Sequence, residues 1–322
     1  MDKKGLITLQ GLLIVLLLAA CTTPVATMTP APTRTPLPTP RPLQTDTRTV
    51  ERGGVRSAQV ELDILNGDLA VTGGAAALME ARFRYNIPAW QPTVAYSIGE
   101  GEGRLSVRQD GDDAPPDDRA RNEWSIRLNN ALPTALTVRG GDAQVHLQAQ
   151  NLSLTRLDVE MANGPVAIYL SRNHPDLVSV VADTDGGDVE ADLSGDYRAL
   201  TQMAFSTVSG ALRIDLTGSF PALTGAAFAN PGGSTTLDLS GDWTRNLDLV
   251  FTGGAGDVRL IVSRRDNVRA EVTGAPAQVH ANGFTEEENG VYTRSPLNAP
   301  PDVTLNLYLR LDGGSVTLET RG

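Results

Sequence analysis

Gly187-Asp188-Val189-Glu190-Ala191-Asp192-Leu193-Ser194-Gly195, Gly210-Ala211-Leu212-Arg213-Ile214-Asp215-Leu216-Thr217-Gly218 and Gly233-Ser234-Thr235-Thr236-Leu237-Asp238-Leu239-Ser240-Gly241 are three copies of one pattern, set 23 residues apart. The leading glycine belongs to a longer column, Gly141, Gly164, Gly187, Gly210, Gly233 and Gly256, all at that spacing. Two, four and six residues past it the side chains are mostly apolar, from Ala143, Val145 and Leu147 to Val258, Leu260 and Val262. Apolar residues at every second position mark a strand with one buried face. A second alternating stretch completes each repeat. Its columns are Leu157, Val180, Met203, Ala226, Leu249 and Val272, then Val159, Ala182, Phe205, Phe228, Phe251 and Gly274.

Each repeat therefore reads as two short strands and two turns, with no segment of helical period. A unit this small cannot bury its apolar face alone, but it can do so stacked on copies of itself. The expected fold is all-β: a single-domain β-solenoid of about 23 residues per coil, with coils about 4.8 Å apart and atypical capping strands at both ends. The glycines of the column read as structural turn residues, placed where the backbone needs positive φ or close approach.

Outward from the repeats the strand texture persists while the period fails. Residues 50–139 hold Asn66-Gly67-Asp68-Leu69-Ala70-Val71, which repeats the turn-and-strand pattern. Phe83 and Tyr85 stand at the offsets of the closing columns. Residues 140–280 are the solenoid proper. Residues 281–322 read as a hairpin turning at Asn289-Gly290. A terminal coil follows, in which Asp312-Gly313-Gly314-Ser315-Val316-Thr317-Leu318 restores the signature and closes the stack. Capping is required because an open end exposes unpaired strand edges.

Residues 22–49 are rich in Thr and Pro, a composition that packs no core and favours an extended tether. At about 3.1 Å per residue it would reach roughly 80 Å. Residues 1–21 carry Lys3 and Lys4, then an apolar run from Leu6 to Leu18 that is short for a membrane span. The run ends in Leu18-Ala19-Ala20-Cys21, which resembles a bacterial lipobox, and Cys21 is the chain's single cysteine. That resemblance implies a cleaved signal peptide and a lipidated Cys21. It also implies anchoring to the bacterial cell membrane, with the folded part exported and extracytoplasmic. No second cysteine remains for an intramolecular disulfide.

Val60-Glu61-Leu62, Gly67-Asp68-Leu69, Gly73-Gly74, Phe83-Arg84-Tyr85-Asn86, Pro92-Thr93-Val94, Leu105-Ser106-Val107, Asn122-Glu123-Trp124 and Leu132-Pro133 together resemble the toast-rack N-terminal domain over about 50–140. The repeats beyond resemble the candidate-adhesin β-solenoids that accompany it, an arrangement related to that of cell-envelope stress-response proteins. What the resemblance implies is an envelope-located, non-catalytic solenoid with no catalytic residues to transfer. The chain departs from the stress-response members in lacking their multi-span membrane segment.

With 38 acidic and 27 basic residues the net charge is −11, and omitting Asp2, Lys3, Lys4, Arg34, Arg41, Asp46 and Arg48 brings it to −14. Nucleic acid is excluded as a partner, since its binding needs a basic face. Beyond Lys4 there is no lysine, which excludes Schiff-base chemistry. His146, His174 and His280 have no zinc-site spacing. The acidic run from Asp110 to Asp118 fits no calcium loop and reads as solvated.

Two columns carry candidate sites. Asp192, Asp215 and Asp238 fall one coil apart, and like charges so close would attract a divalent cation unless they form a solvated stripe. His174, Tyr197, Phe220 and Trp243, ten residues past their glycines, would form either a platform for sugar rings or a ladder sealing a corner. No cofactor and no catalytic residue is expected. Three functions follow: a lipid-anchored binding module that is adhesin-like or envelope-stress-associated, a self-associating structural envelope protein, and a polysaccharide-active solenoid enzyme. The coils are short and lysine-free, which weighs against the third. The expected partners are the membrane through the lipid, and a surface glycan, peptidoglycan or another envelope protein.

Overall fold

A computed structural model describes residues 41–111, 118–276, 278–296 and 303–322. The described residues form strands, turns and two single 3₁₀ turns, Pro88–Trp90 and Glu288–Gly290, with no α-helix. The 23-residue repeat folds as the alternation dictates. Ser179–Thr184, Gln202–Thr207, Gly225–Asn230 and Leu247–Gly253 pair parallel as one wall, with Val180, Met203, Ala226 and Leu249 in register. Val189–Asp192, Leu212–Asp215, Thr235–Leu239 and Val258–Ser263 form a second wall, with Val189, Leu212, Thr235 and Val258 in register. A short third side, where Asp196, Ser219 and Asp242 bridge coil to coil, closes each turn. The inward residues of both walls make one continuous core, including Leu193, Leu216 and Leu239.

The glycine column is a physical stack. A Cβ on Gly164, Gly187, Gly210, Gly233 or Gly256 would lie within 3.0 Å of a backbone carbonyl oxygen in the coil below, closer than real Cβ atoms come. From Gly187 to Gly256 that oxygen belongs to the preceding glycine of the column. Close approach is thus the shared reason for glycine, and positive φ at Gly164, Gly187 and Gly210 is an added one.

Gly141 is the exception. Its coil lies 21 residues from the next, since Leu136 pairs with Leu157 and Val145 with Val166. The difference falls in the third side after Leu147, so Gly164 stacks on Ala143 and not on Gly141. The stack in space runs Gly67, Ala143, Gly164, Gly187, Gly210, Gly233, Gly256, Gly314.

Both ends depart from sequence order. Ser57–Ala75 is one long strand spanning both walls and stacks directly on Thr134–Gln148. The intervening chain lies outside it: Glu102–Gln109 on the first wall and Asn122–Asn129 on the second. Met79–Tyr85 then runs antiparallel to Asn122–Asn129. Phe83 and Tyr85 are therefore part of the cap and not a closing column, despite their matching offsets. Gln44–Val50 adds a further antiparallel strand on Met79–Tyr85. The stretch expected to be tether up to residue 49 is folded from Gln44 onward, because Thr45, Thr47 and Thr49 recur at every second position, a strand-compatible pattern, beside an open edge.

At the other end the expected order is reversed. Thr304–Leu311 pairs with Leu247–Gly253 on one side and Asn267–Gly274 on the other, and Ser315–Arg321 sits likewise between Val258–Ser263 and Gln278–Ala281. The last coil in sequence is wedged inside the stack. The terminal coil is 267–281, covered on one wall by the hairpin of Thr285–Glu286 and Val291–Arg294. Leu307 and Leu309 accordingly take the core places over Leu249 and Phe251 that Val272 and Gly274 were expected to fill.

Candidate functional site

The aromatic column is internal. His174, Tyr197 and Phe220 are at most 2% exposed and Trp243 is 7% exposed, so the outward sugar platform expected of them is not what the fold builds. Their side chains point inward from the third side and stack. Centroids lie 6.0, 5.1 and 5.0 Å apart, with interplanar angles of 12°, 3° and 20°. Two of the rings have their polar atom capped by a carbonyl: the Tyr197 hydroxyl donates to Leu170 O, and Trp243 Nε1 donates to Leu239 O at 2.9 Å. Burial pushes the Tyr197 hydroxyl well above its ordinary pKa. Burial also lowers the His174 pKa, only partly offset by the Leu152 backbone. His174 thus serves as a neutral plate at the head of the ladder.

The aspartate column does stack, with Asp192, Asp215 and Asp238 in register. Each carboxylate is turned back on its own chain, accepting the N–H two residues on: Ser194 at 3.0 Å, Thr217 at 2.9 Å and Ser240 at 3.1 Å. Asp238 is also ion-paired with Arg321. These are turn-capping side chains. Among the described residues no group of three or more His, Cys, Asp or Glu could hold a metal ion. Cys21 lies outside the described residues, as does most of the acidic run at 112–117.

The feature that sequence reading missed lies where the ladder stops. One repeat beyond Trp243 the aromatic is replaced by Asp266, preceded by Arg264 and Arg265. The turn carrying this triad, the turn after Thr235–Leu239 and the residues Arg321 and Gly322 enclose a groove of about 700 Å³. The edge of Trp243 lines it, with Asp242 alongside. Arg321 is held by Asp238, while the Arg264 and Arg265 guanidinium groups have no ion-pair partner among the described residues. Asp266 accepts the Ser263 N–H at 3.2 Å. Burial, helped by the charge of Asp242 and opposed by that bond and by Arg294, pushes its pKa up to about 6. The legible signal was the interruption itself, a charged triad at a corner that four coils had filled with rings.

A carboxyl whose folded pKa is raised from 3.8 holds its proton more tightly folded than unfolded. Its contribution to stability is therefore present below about pH 4 and lost as pH rises toward 6. Discounted for its partial exposure, the loss is about 1–2 kcal/mol. Urea unfolding at intervals from pH 4 to 7 should show Asp266→Asn gaining on the parent across that window. Parallel curves would overturn the assignment.

The fold and groove define a capped three-sided β-solenoid with a charged recess beside the end of its aromatic ladder. Residues 39–190 match the family model for the N-terminal domain of toast_rack, DUF2154. The match takes in the added strand Gln44–Val50 and reaches into the repeats, beyond the 50–140 that carried the resemblance. Among solved structures, the chain aligns over 87% of its length with a candidate cell adhesion protein from Clostridium sporogenes (19% identity, all of that chain, TM-score 0.33). It aligns over 87% with a candidate adhesin from Bacteroides fragilis (13% identity, 97% of that chain, TM-score 0.42). It aligns over 85% with a candidate lipid-binding protein from Parabacteroides distasonis (12% identity, 96% of that chain, TM-score 0.38). No match is found among curated proteins. No helix among the described residues is long and apolar enough to cross a membrane.

Proposed function

We propose that this chain is a lipid-anchored, extracytoplasmic binding module, adhesin-like in action, that works by recognition and not by catalysis. The observation that carries this reading is positional. The chain enters the folded part at one end, where Arg41 N–H bonds Asn86 O and Gln44–Val50 closes the cap. The groove lies eight strand spacings along the second wall, roughly 40 Å away at the usual spacing. A chain anchored through Cys21 would enter the folded part at the cap, the end remote from the groove. Many of the outer carboxylates are engaged in turns and ion pairs, as in Arg139 with Glu61 and Arg198 with Asp196, and among the described residues no three of His, Cys, Asp or Glu converge on one point.

Cell fractionation and envelope pull-down test the two halves of this reading. The parent chain should fractionate with membranes, and Cys21→Ala should be released. The released protein should then sediment saturably with isolated envelopes. Retention of Cys21→Ala on membranes, or its failure to sediment, would count against the anchor or the binding role respectively.

A second reading, self-association, has one observation in its favour. The outward residues Val181, Ala204, Ala227, Val250 and Tyr308 form an uncharged row across five paired strands of the first wall, with Val250 49% and Tyr308 39% exposed. Concentration-dependent assembly without ligand, abolished by Val250→Glu, would favour it.

A further inference from the structure

We propose that the groove beside Trp243 is a binding site for a carboxylated saccharide, with the sugar's carboxylate held between Arg264 and Arg265 and its hydroxyls donating to Asp242. The inference rests on the binding-module reading above and assigns its ligand chemistry. Three features of the groove carry it.

The first is the arginine pair. In a chain of net charge −11, ion pairs engage only about half of the described arginines, from Arg84 with Glu123 to Arg259 with Glu319. What sets Arg264 and Arg265 apart is that they are exposed, adjacent in the chain, without an ion-pair partner among the described residues, and both on the rim of one recess. A planar guanidinium fork left open is suited to a carboxylate or phosphate oxygen pair.

The second is the presence of acids on the same rim. Asp242 and Asp266 both line the groove. Both would repel a doubly charged phosphate more strongly than a singly charged carboxylate, and a hydroxyl-rich ring also brings donors that Asp242 can accept. Donor and acceptor groups interleaved around one recess match a ligand that carries an anion and hydroxyls together.

The third is the floor. Trp243 has its Nε1 fixed on Leu239 O and its ring stacked on Phe220; at 7% exposed it offers the recess a narrow, rigid apolar rim and not a stacking face. A pyranose has matching apolar C–H surface. The indole is preorganised and loses little rotamer freedom on binding. The recess of about 700 Å³ has room for a short oligosaccharide.

Two sources share this chemistry, a uronic-acid polymer and a muramic residue whose lactyl carboxyl is free of its stem peptide. The test titrates the full chain in detergent by calorimetry with oligogalacturonate, its methyl ester, peptide-free muramyl glycan fragments and inorganic phosphate. Binding of oligogalacturonate or the muramyl fragment is expected, with no heat from the methyl ester or phosphate. Arg264→Gln/Arg265→Gln should weaken binding at least tenfold, since two charge-assisted hydrogen bonds are lost. Both side chains are exposed, so its thermal unfolding should match the parent and serve as the folding control. Equal binding of the methyl ester, an unchanged affinity in the double variant, or no binding of either acidic sugar overturns the site. If the double variant then still sediments with envelopes as the parent does, the binding-module reading stands and only this ligand assignment falls.

Discussion

Gly187→Ala should unfold the protein at temperatures where Gly225→Ala leaves it intact. Both substitutions add one methyl group to a glycine of the solenoid. At Gly187 that methyl would lie within 3.0 Å of three backbone atoms of Gly164, and the residue holds φ +104°, which an alanine adopts only under strain. Overpacking of a close contact costs about 1–3 kcal/mol and the left-handed backbone about 1–2 kcal/mol more. The obstacle is main chain pinned by the parallel pairing of two walls, so no side chain can swing aside. The expected loss is about 3–4 kcal/mol, a large share of the stability of an ordinary domain. At Gly225 the added methyl meets only Asp248 O at 3.8 Å, and reduced freedom of the unfolded chain offsets what is lost. Denaturant midpoints of the two variants decide the matter. Equal midpoints would mean that the column tolerates side chains and that the stack is looser than described.

The second large effect is expected at the centre of the ladder. Phe220 is fully buried, with Tyr197 at 5.1 Å on one face and Trp243 at 5.0 Å on the other. Phe220→Ala removes the middle ring and leaves a cavity that neither neighbour can fill, since Tyr197 and Trp243 are each tethered by a hydrogen bond to a carbonyl. The loss should be about 3–5 kcal/mol, with stacking energy included. Phe220→Leu fills part of the space and should recover roughly half. The same variant also has a spectroscopic signature, because Trp243 would lose its stacked partner and its emission should shift while Trp90 and Trp124 stay buried. An unshifted emission with unchanged stability would show that the ladder does not hold the corner.

The sequence made the repeat legible because its constraints are local and periodic. Every second residue faces inward, and every coil passes the same narrow point, so spacing alone reports both. Three things were hidden for physical reasons. Gly141 matches the period only because two residues lost from one corner coincide with a second glycine two residues off the stacked position; spacing cannot tell a stacked glycine from a displaced one. The aromatic column could face inward or outward, since alternation fixes the faces of a strand but not of a tight corner. The order of the last coils depends on pairings 58 residues apart, such as Leu247 with Leu305, which no local signal encodes. The groove was hidden for a related reason, since Arg321 and Arg264 meet only through that long-range pairing, with Arg264 N–H bonded to Arg321 O at 2.9 Å.

The wedged final coil bears on how the chain reaches its native state. Residues 267–281 emerge before 303–322 and could first settle directly on 247–263, with Val272 over Leu249, the pairing that the simple period suggests. That arrangement would place Val279 one period beyond Gly256, where the backbone leaves no room for a side chain. Gly314 meets that demand, with positive φ and its own close approach to Gly256 O. The glycine stack therefore disfavours the local register and fits the distant one.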